Sequence, residues 1–148
     1  MAVRKKILII DPGSGPGCAL DQLLAPRHYQ VRFAKSAETG WFSAVGEKPD
    51  LILIEPMLPH GPEGFNLIWR LRRHTDRQVS ETPIIVVTGI DQTTRLNLFP
   101  NFHDGHYTAK EFLPVQGFLN KPLDGRLLIA SIGELLGSQS QHEGSRYA

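Results

Sequence analysis

Leu51-Ile52-Leu53-Ile54-Glu55 is an apolar run with no polar break that ends on a carboxylate. Successive side chains of a strand point to opposite faces, so a strand wetted on one side alternates apolar with polar residues. A run that is apolar at every position needs cover on both faces. The same design recurs on either side of this stretch. Ile7-Leu8-Ile9-Ile10 ends at Asp11, and Ile84-Ile85-Val86-Val87 ends at Thr88. Val115-Gln116-Gly117-Phe118-Leu119 ends near Lys121. A weaker segment, Gln30 to Ala34, alternates and belongs at a sheet edge.

Helical patterns fall between these strands. Leu20, Leu23 and Leu24 mark the first. Ser36 caps a second that carries Trp41, Phe42 and Val45. Phe65, Leu67, Ile68 and Leu71 mark a third, with Arg70, Arg72 and Arg73 on its solvent side. Asp124 caps the last, where Leu127, Leu128, Ile132, Leu135 and Leu136 form an apolar stripe. From Asp91 to Pro114 the pattern is poor, and Pro100, Gly105 and Pro114 interrupt it. A short or broken helix in a long loop is expected there. Alternating strands and helices imply an α/β sandwich on a parallel sheet with right-handed crossovers.

Bulk properties narrow the function classes. The 148 residues fit one domain with one core. A domain over residues 1–136 and a solvated Ser/Gln/Gly/His tail over 137–148 are expected. The formal net charge of +1 argues against a dedicated nucleic-acid binder. Cys18 is the single cysteine, so no internal disulfide forms, and a reducing, cytoplasmic compartment is expected. The apolar run before Asp11 is too short for a signal peptide or a membrane span.

In an open parallel sheet, ligands bind beyond the carboxyl ends of the strands. Asp11, Glu55, Thr88 and Lys121 all stand at or near such ends. Singly, each is best read as a solvated strand terminus. Together they make a small charged pocket of two carboxylates, a hydroxyl and an ammonium.

The residues that compose this set resemble a known family. Lys6-Ile-Leu-Ile-Ile-Asp11, Leu51 to Pro59, Gly64-Phe65, Pro83 to Thr88 and Phe118-Leu-Asn-Lys-Pro122 are similar to the receiver domain of two-component response regulators. The resemblance runs from about Lys5 to Leu136. It implies a flavodoxin-like, doubly wound, five-stranded parallel sheet of order 2-1-3-4-5 with helices on both faces. It also implies phosphoryl transfer from a histidine kinase to an aspartate with Mg²⁺. No activated nucleophile or acid–base pair appears outside this set, so no enzyme with a substrate of its own is expected. Asp11 matches the first of the family's paired acids, and Glu55 takes the place of the phospho-accepting aspartate. Thr88 matches the hydroxyl that swings toward the phosphoryl group, and Lys121 the lysine that pairs with it. Phe118 matches the switch aromatic, and Pro122 suggests a cis peptide bond.

Departures from the family pattern carry as much weight as the matches. Pro12 replaces the second acid, which in the family ligates Mg²⁺, so Asp11 and Glu55 make a weak metal site. Glu55 carries one methylene more than aspartate, and its carboxylate reaches ~1.5 Å further. Phosphoryl transfer depends on alignment and charge neutralisation, which both changes impair. The reading is a pseudo-receiver that signals by protein contact, with a histidine kinase or downstream effector as partner, or a second copy in a homodimer. In it, Glu55 either holds the domain toward an activated state or forms a plain ion pair with Lys121, and the two stand level. A flavodoxin-like small-ligand or nucleotide module and a still phosphorylatable stand-alone receiver are the alternatives. The stretch His60 to Glu63 is one residue longer than the family pattern, and the Thr88 to Lys121 interval is also longer, so a changed partner surface is expected.

Other signals are weaker. Gly13-Ser-Gly-Pro-Gly17 follows a strand but fits neither phosphate-binding fingerprint, and reads as a flexible turn. His103, Asp104 and His106 lack companion metal ligands and read as an exposed loop. Arg70, Arg72, Arg73, His74 and Arg77 form a basic run suited to contact nucleic acid or an acidic partner, but with a near-neutral chain they read better as a solvated helix end. Trp41 and Trp69 read as core or half-buried packing.

Overall fold

The computed structural model describes residues 3–89 and 113–137. The expected broken helix, the His103-Asp104-His106 loop and the tail beyond Gly137 lie outside them. Five parallel strands form one sheet in the order β2-β1-β3-β4-β5. They are β1 (Lys6–Ile10), β2 (Gln30–Ala34), β3 (Leu51–Ile54), β4 (Ile84–Thr88) and β5 (Gly117–Asn120). The helices are α1 (Ala19–Leu24), α2 (Ala37–Glu47), α3 (Glu63–Arg72), the single turn α4 (Arg77–Ser80) and α5 (Gly125–Leu136).

The apolar runs are continuous because each strand feeds two cores. Leu8, Ile10, Ile52, Ile54, Ile84 and Val86 pack against α2 and α3. Ile7, Ile9, Leu51, Leu53, Ile85 and Val87 pack against α1 and α5. β3 lies between β1 and β4 and is buried at all its positions. β2 has a neighbour on one side and is mostly intermediate or exposed, with only Ala34 buried, as suits an edge strand. Truncating a central residue such as Ile54 to Ala leaves a cavity worth about 2–5 kcal/mol.

The helix starts follow their capping chemistry. Ser36 Oγ accepts from the Thr39 backbone N–H, and the Ser36 N–H donates to Thr39 Oγ1. Asp124 accepts from the N–H groups of Arg126 and Leu127 at the start of α5. Gly64 lets α3 approach the strand end closely. A Cβ there would overlap the Pro56 backbone.

Several side chains differ from expectation. Phe42 is 65% exposed, because α2 turns Gly40 and Ala44 inward and places Phe42 about 200° around from Gly40. Gly40 is small for a reason: a Cβ would stand 2.9 Å from Ile10 Cδ1. Leu127 is exposed, and the buried stripe of α5 runs through Leu128 and Ile132. Arg72 is not on the solvent side of α3. Its guanidinium turns in and binds main-chain carbonyls (below).

Candidate functional site

β1, β3, β4 and β5 bring the four polar strand ends to one rim. Asp11 follows β1, Glu55 follows β3, Thr88 ends β4, and Lys121 follows β5. The Lys121 ammonium lies 2.9 Å from Asp11 Oδ2 and 3.4 Å from Glu55 Oε1. Thr88 Oγ1 donates to Glu55 Oε2 at 2.7 Å. All four expected residues therefore meet.

Main-chain groups complete the cluster. The Met57 N–H donates to Glu55 Oε2 at 3.1 Å, and the Gly89 N–H to Oε1 at 3.2 Å. Sequence reading did not find these donors, since any residue in the turn after a strand carries the same N–H. Asp11 is held similarly: the Gly13 N–H donates to Oδ1 at 2.8 Å.

Burial sorts the members. Thr88 is fully buried, and the Glu55 side chain is 10% exposed. Lys121 is 38% exposed and closes the cluster from the solvent side. Burial pulls the Lys121 pKa down, but the hydrogen bond to Asp11 and the charges of Asp11 and Glu55 outweigh it. The net result lies above the ordinary lysine value, so the ammonium form is favoured. The Lys121–Pro122 peptide is cis, as expected. Phe118 is partly buried against the core shared by α2 and α3. A cavity of about 350 Å³ opens beside the rim between Ser14, Cys18 and Leu20 on one side and Val87, Pro122 and Leu123 on the other.

The other expectations resolve as follows. The Gly13–Gly17 loop is a self-satisfied turn. Its Gly13 N–H is bound to Asp11, its Gly17 N–H to Asp21 Oδ2 at 2.7 Å, and Ser14 Oγ donates to the Asp11 carbonyl at 2.8 Å. Trp41 is half-buried, and Arg70 lies over its ring at 4.2 Å from the centroid. Trp69 is more exposed than expected, at 41%. Arg77 pairs with Glu81 on the solvated face of α4.

No protein-family model matches the chain. Protein PilH of Pseudomonas aeruginosa is 29% identical over 131 residues, covering 88% of this chain and 97% of that protein. Response regulator PleD of Caulobacter vibrioides is 26% identical, with 88% of this chain but 26% of that protein covered. The DNA-binding transcriptional regulator RpaA of Synechocystis is 29% identical, with 48% of its length covered. A two-component response regulator from Clostridium difficile superimposes with a TM-score of 0.67 at 25% identity, covering 90% of this chain and 96% of that one. A CheY-like receiver domain from Methanospirillum hungatei gives 0.68 at 24%, covering 95% and 99%. Relatives and structural neighbours alike support a response-regulator receiver domain. The strand order is that of the flavodoxin-like receiver fold.

Receiver domains typically hold Mg²⁺ at this rim. The arrangement here does not fit it well. Pro12 has no side-chain oxygen to offer. Each oxygen of Asp11 and Glu55 already accepts from a protein donor. Mg²⁺ demands a near-octahedral oxygen shell, and the Lys121 ammonium already pairs with both carboxylates. Among the described residues, no group of three or more His, Cys, Asp or Glu could hold a metal. No helix among them is long and apolar enough to cross a membrane.

Proposed function

We propose that this receiver domain works as a pseudo-receiver, in which the Glu55 carboxylate takes the place of phosphoryl oxygens and signalling proceeds by protein contact without phosphorylation. The observation that carries the reading is the 2.7 Å hydrogen bond from Thr88 Oγ1 to Glu55 Oε2. By resemblance, Thr88 is the hydroxyl that swings to a phosphoryl group, and Lys121 the lysine that pairs with one. Both already point at Glu55. The extra methylene of glutamate supplies the reach, and the Met57 and Gly89 amides hold the carboxylate from the main chain. A plain ion pair would need Lys121 alone. The convergence of hydroxyl, amides and ammonium on one carboxylate favours the substitute for phosphate. Its partner is a histidine kinase or a downstream effector.

The test is the melting temperature with Mg²⁺, with and without beryllofluoride, a mimic of the phosphoryl group. A ligand that binds only the folded state stabilises by mass action, and tight binding gives several degrees. No shift is expected for the native chain. A clear shift, or a stable acyl phosphate formed from acetyl phosphate, would return the domain to ordinary phosphorelay chemistry. The double variant Pro12→Asp, Glu55→Asp restores the family's acids and should gain a Mg²⁺-dependent shift. The ligand-binding alternative has no comparable support, since the Gly13 and Gly17 amides are spent within the loop.

A further inference from the structure

Asn66, Trp69 and Arg70 on α3 and Arg73 at its C-cap follow one another at helical spacing, and all are exposed. The opposite stripe, Gly64, Leu67, Ile68 and Leu71, is buried. The exposed stripe therefore carries a large aromatic ring beside two guanidinium groups. Arg70 is held over the Trp41 ring of α2, and His74 packs on the same ring at 5.7 Å between centroids. Stacking on an aromatic face orients Arg70 without neutralising it.

The neighbouring cations are spent. Lys48 pairs with Asp76, Arg77 pairs with Glu81, and Arg72 binds carbonyl groups. Arg70 and Arg73 have no carboxylate within ion-pair distance among the described residues. The hydrogen bonds of Arg72 also fix the last turn of α3, so the stripe is presented on a rigid element. Trp and Arg are the residue types that dominate binding energy at protein interfaces.

We propose that this stripe docks an acidic segment of a protein partner. Two carboxylates of the segment meet the planar forks of Arg70 and Arg73, which suit bidentate contact. An apolar side chain between them covers the Trp69 indole. Nucleic acid fits less well. A phosphate backbone needs many cationic contacts to bind at physiological salt, whereas this face has two unspent arginines and a chain charge of +1.

The test uses the full chain and a short labelled peptide built from alternating Glu-Glu and Leu-Leu pairs. Intrinsic tryptophan fluorescence and peptide anisotropy are read together. Saturable, salt-sensitive binding is expected. Arg70→Glu and Arg73→Glu should each weaken it about tenfold or more. Trp69→Ala should weaken it comparably, while Arg126→Glu on α5 should leave it unchanged. Circular dichroism melts confirm that each variant is folded. Equal binding of a peptide with Gln in place of Glu would overturn the proposal, as would indifference to charge reversal at Arg70 and Arg73. Preference for a single-stranded oligonucleotide would overturn it in favour of nucleic acid. A concentration-dependent dimer lost in Arg73→Glu would assign the face to a second copy instead.

Discussion

The molecule holds two polar clusters inside an apolar frame, and they are built from different materials. At the rim beyond the strand ends, two carboxylates meet an ammonium, a hydroxyl and three amides. Below α3, a single guanidinium binds uncharged acceptors. Arg72 Nε donates to the Pro114 carbonyl at 2.7 Å, and Nη1 to the Ser80 and Thr82 carbonyls at 3.0 and 2.6 Å. Nη2 donates to Gln116 Oε1 at 3.0 Å, which also accepts from the Ile84 N–H. The rim cluster is a ring of ionisable groups beside a cavity. The Arg72 cluster ties the end of α3 to the entries of β4 and β5. Burial of polar groups alone does not mark function. What matters is whether the partners are side chains that could exchange one ligand for another, or main-chain groups that cannot.

Arg72 should give the largest effect. Arg72→Met keeps much of the apolar stem but leaves the carbonyls without their donor. A loss of about 3 kcal/mol in urea unfolding is expected, because hydrogen bonds from a charged donor are worth about 1.5–3 kcal/mol each and part is regained from water. Arg72→Lys should recover little, since one ammonium cannot reproduce the fork. If Arg72→Met were neutral, the clamp would be incidental and the contrast with the rim would fail.

Thr88→Val comes next. It is close in shape to threonine and leaves Glu55 Oε2 with the Met57 amide but no hydroxyl. A loss of about 2 kcal/mol is expected, from a buried hydrogen bond to a charged acceptor. In the proposed pseudo-receiver it should also change partner binding, whereas a core truncation on α5 such as Ile132→Val should act on stability alone. A pull-down or titration with the partner, scaled for folded protein, separates the two.

The two clusters were unequally legible in the sequence. The rim could be read because each member sits one step beyond an apolar run, and the sheet must bring those ends together. The caps at Ser36 and Asp124 were legible for the same local reason. Arg72 was not. Helical spacing gives only the angle around α3, and its acceptors are carbonyls on segments up to 42 residues away with no side-chain signature. Phe42 and Leu127 were misplaced because apolar character was taken for burial, while α2 spends its inner face on Gly40 and Ala44. α4, a turn of four residues, is shorter than any periodicity can register.

The smallest expected effect separates the clusters by pH. The Lys121 pKa lies above its ordinary value in the folded state, so the group adds stability that is complete below the unfolded value of about 10.4. That stability is lost as pH rises through the folded pKa, when the ammonium gives up its proton and leaves Asp11 and Glu55 facing each other without a counter-charge. Lys121 is 38% exposed, so solvent screens the pair and the contribution is about 1 kcal/mol or less. Burial lowers the Arg72 pKa, yet an arginine remains protonated throughout this range, and its cluster should not respond. Unfolding free energies of the native chain and of Lys121→Met should therefore differ at neutral pH, begin to converge near pH 10.4 and meet only above the raised folded pKa, whereas native and Arg72→Met should keep a constant gap. Burial raises the Tyr29 pKa, but Tyr29 is common to all three proteins, and the differences cancel its contribution. A gap for Lys121→Met that persisted at high pH would mean that its side chain acts through packing of its stem, and the rim would then resemble the Arg72 clamp more than a charged site.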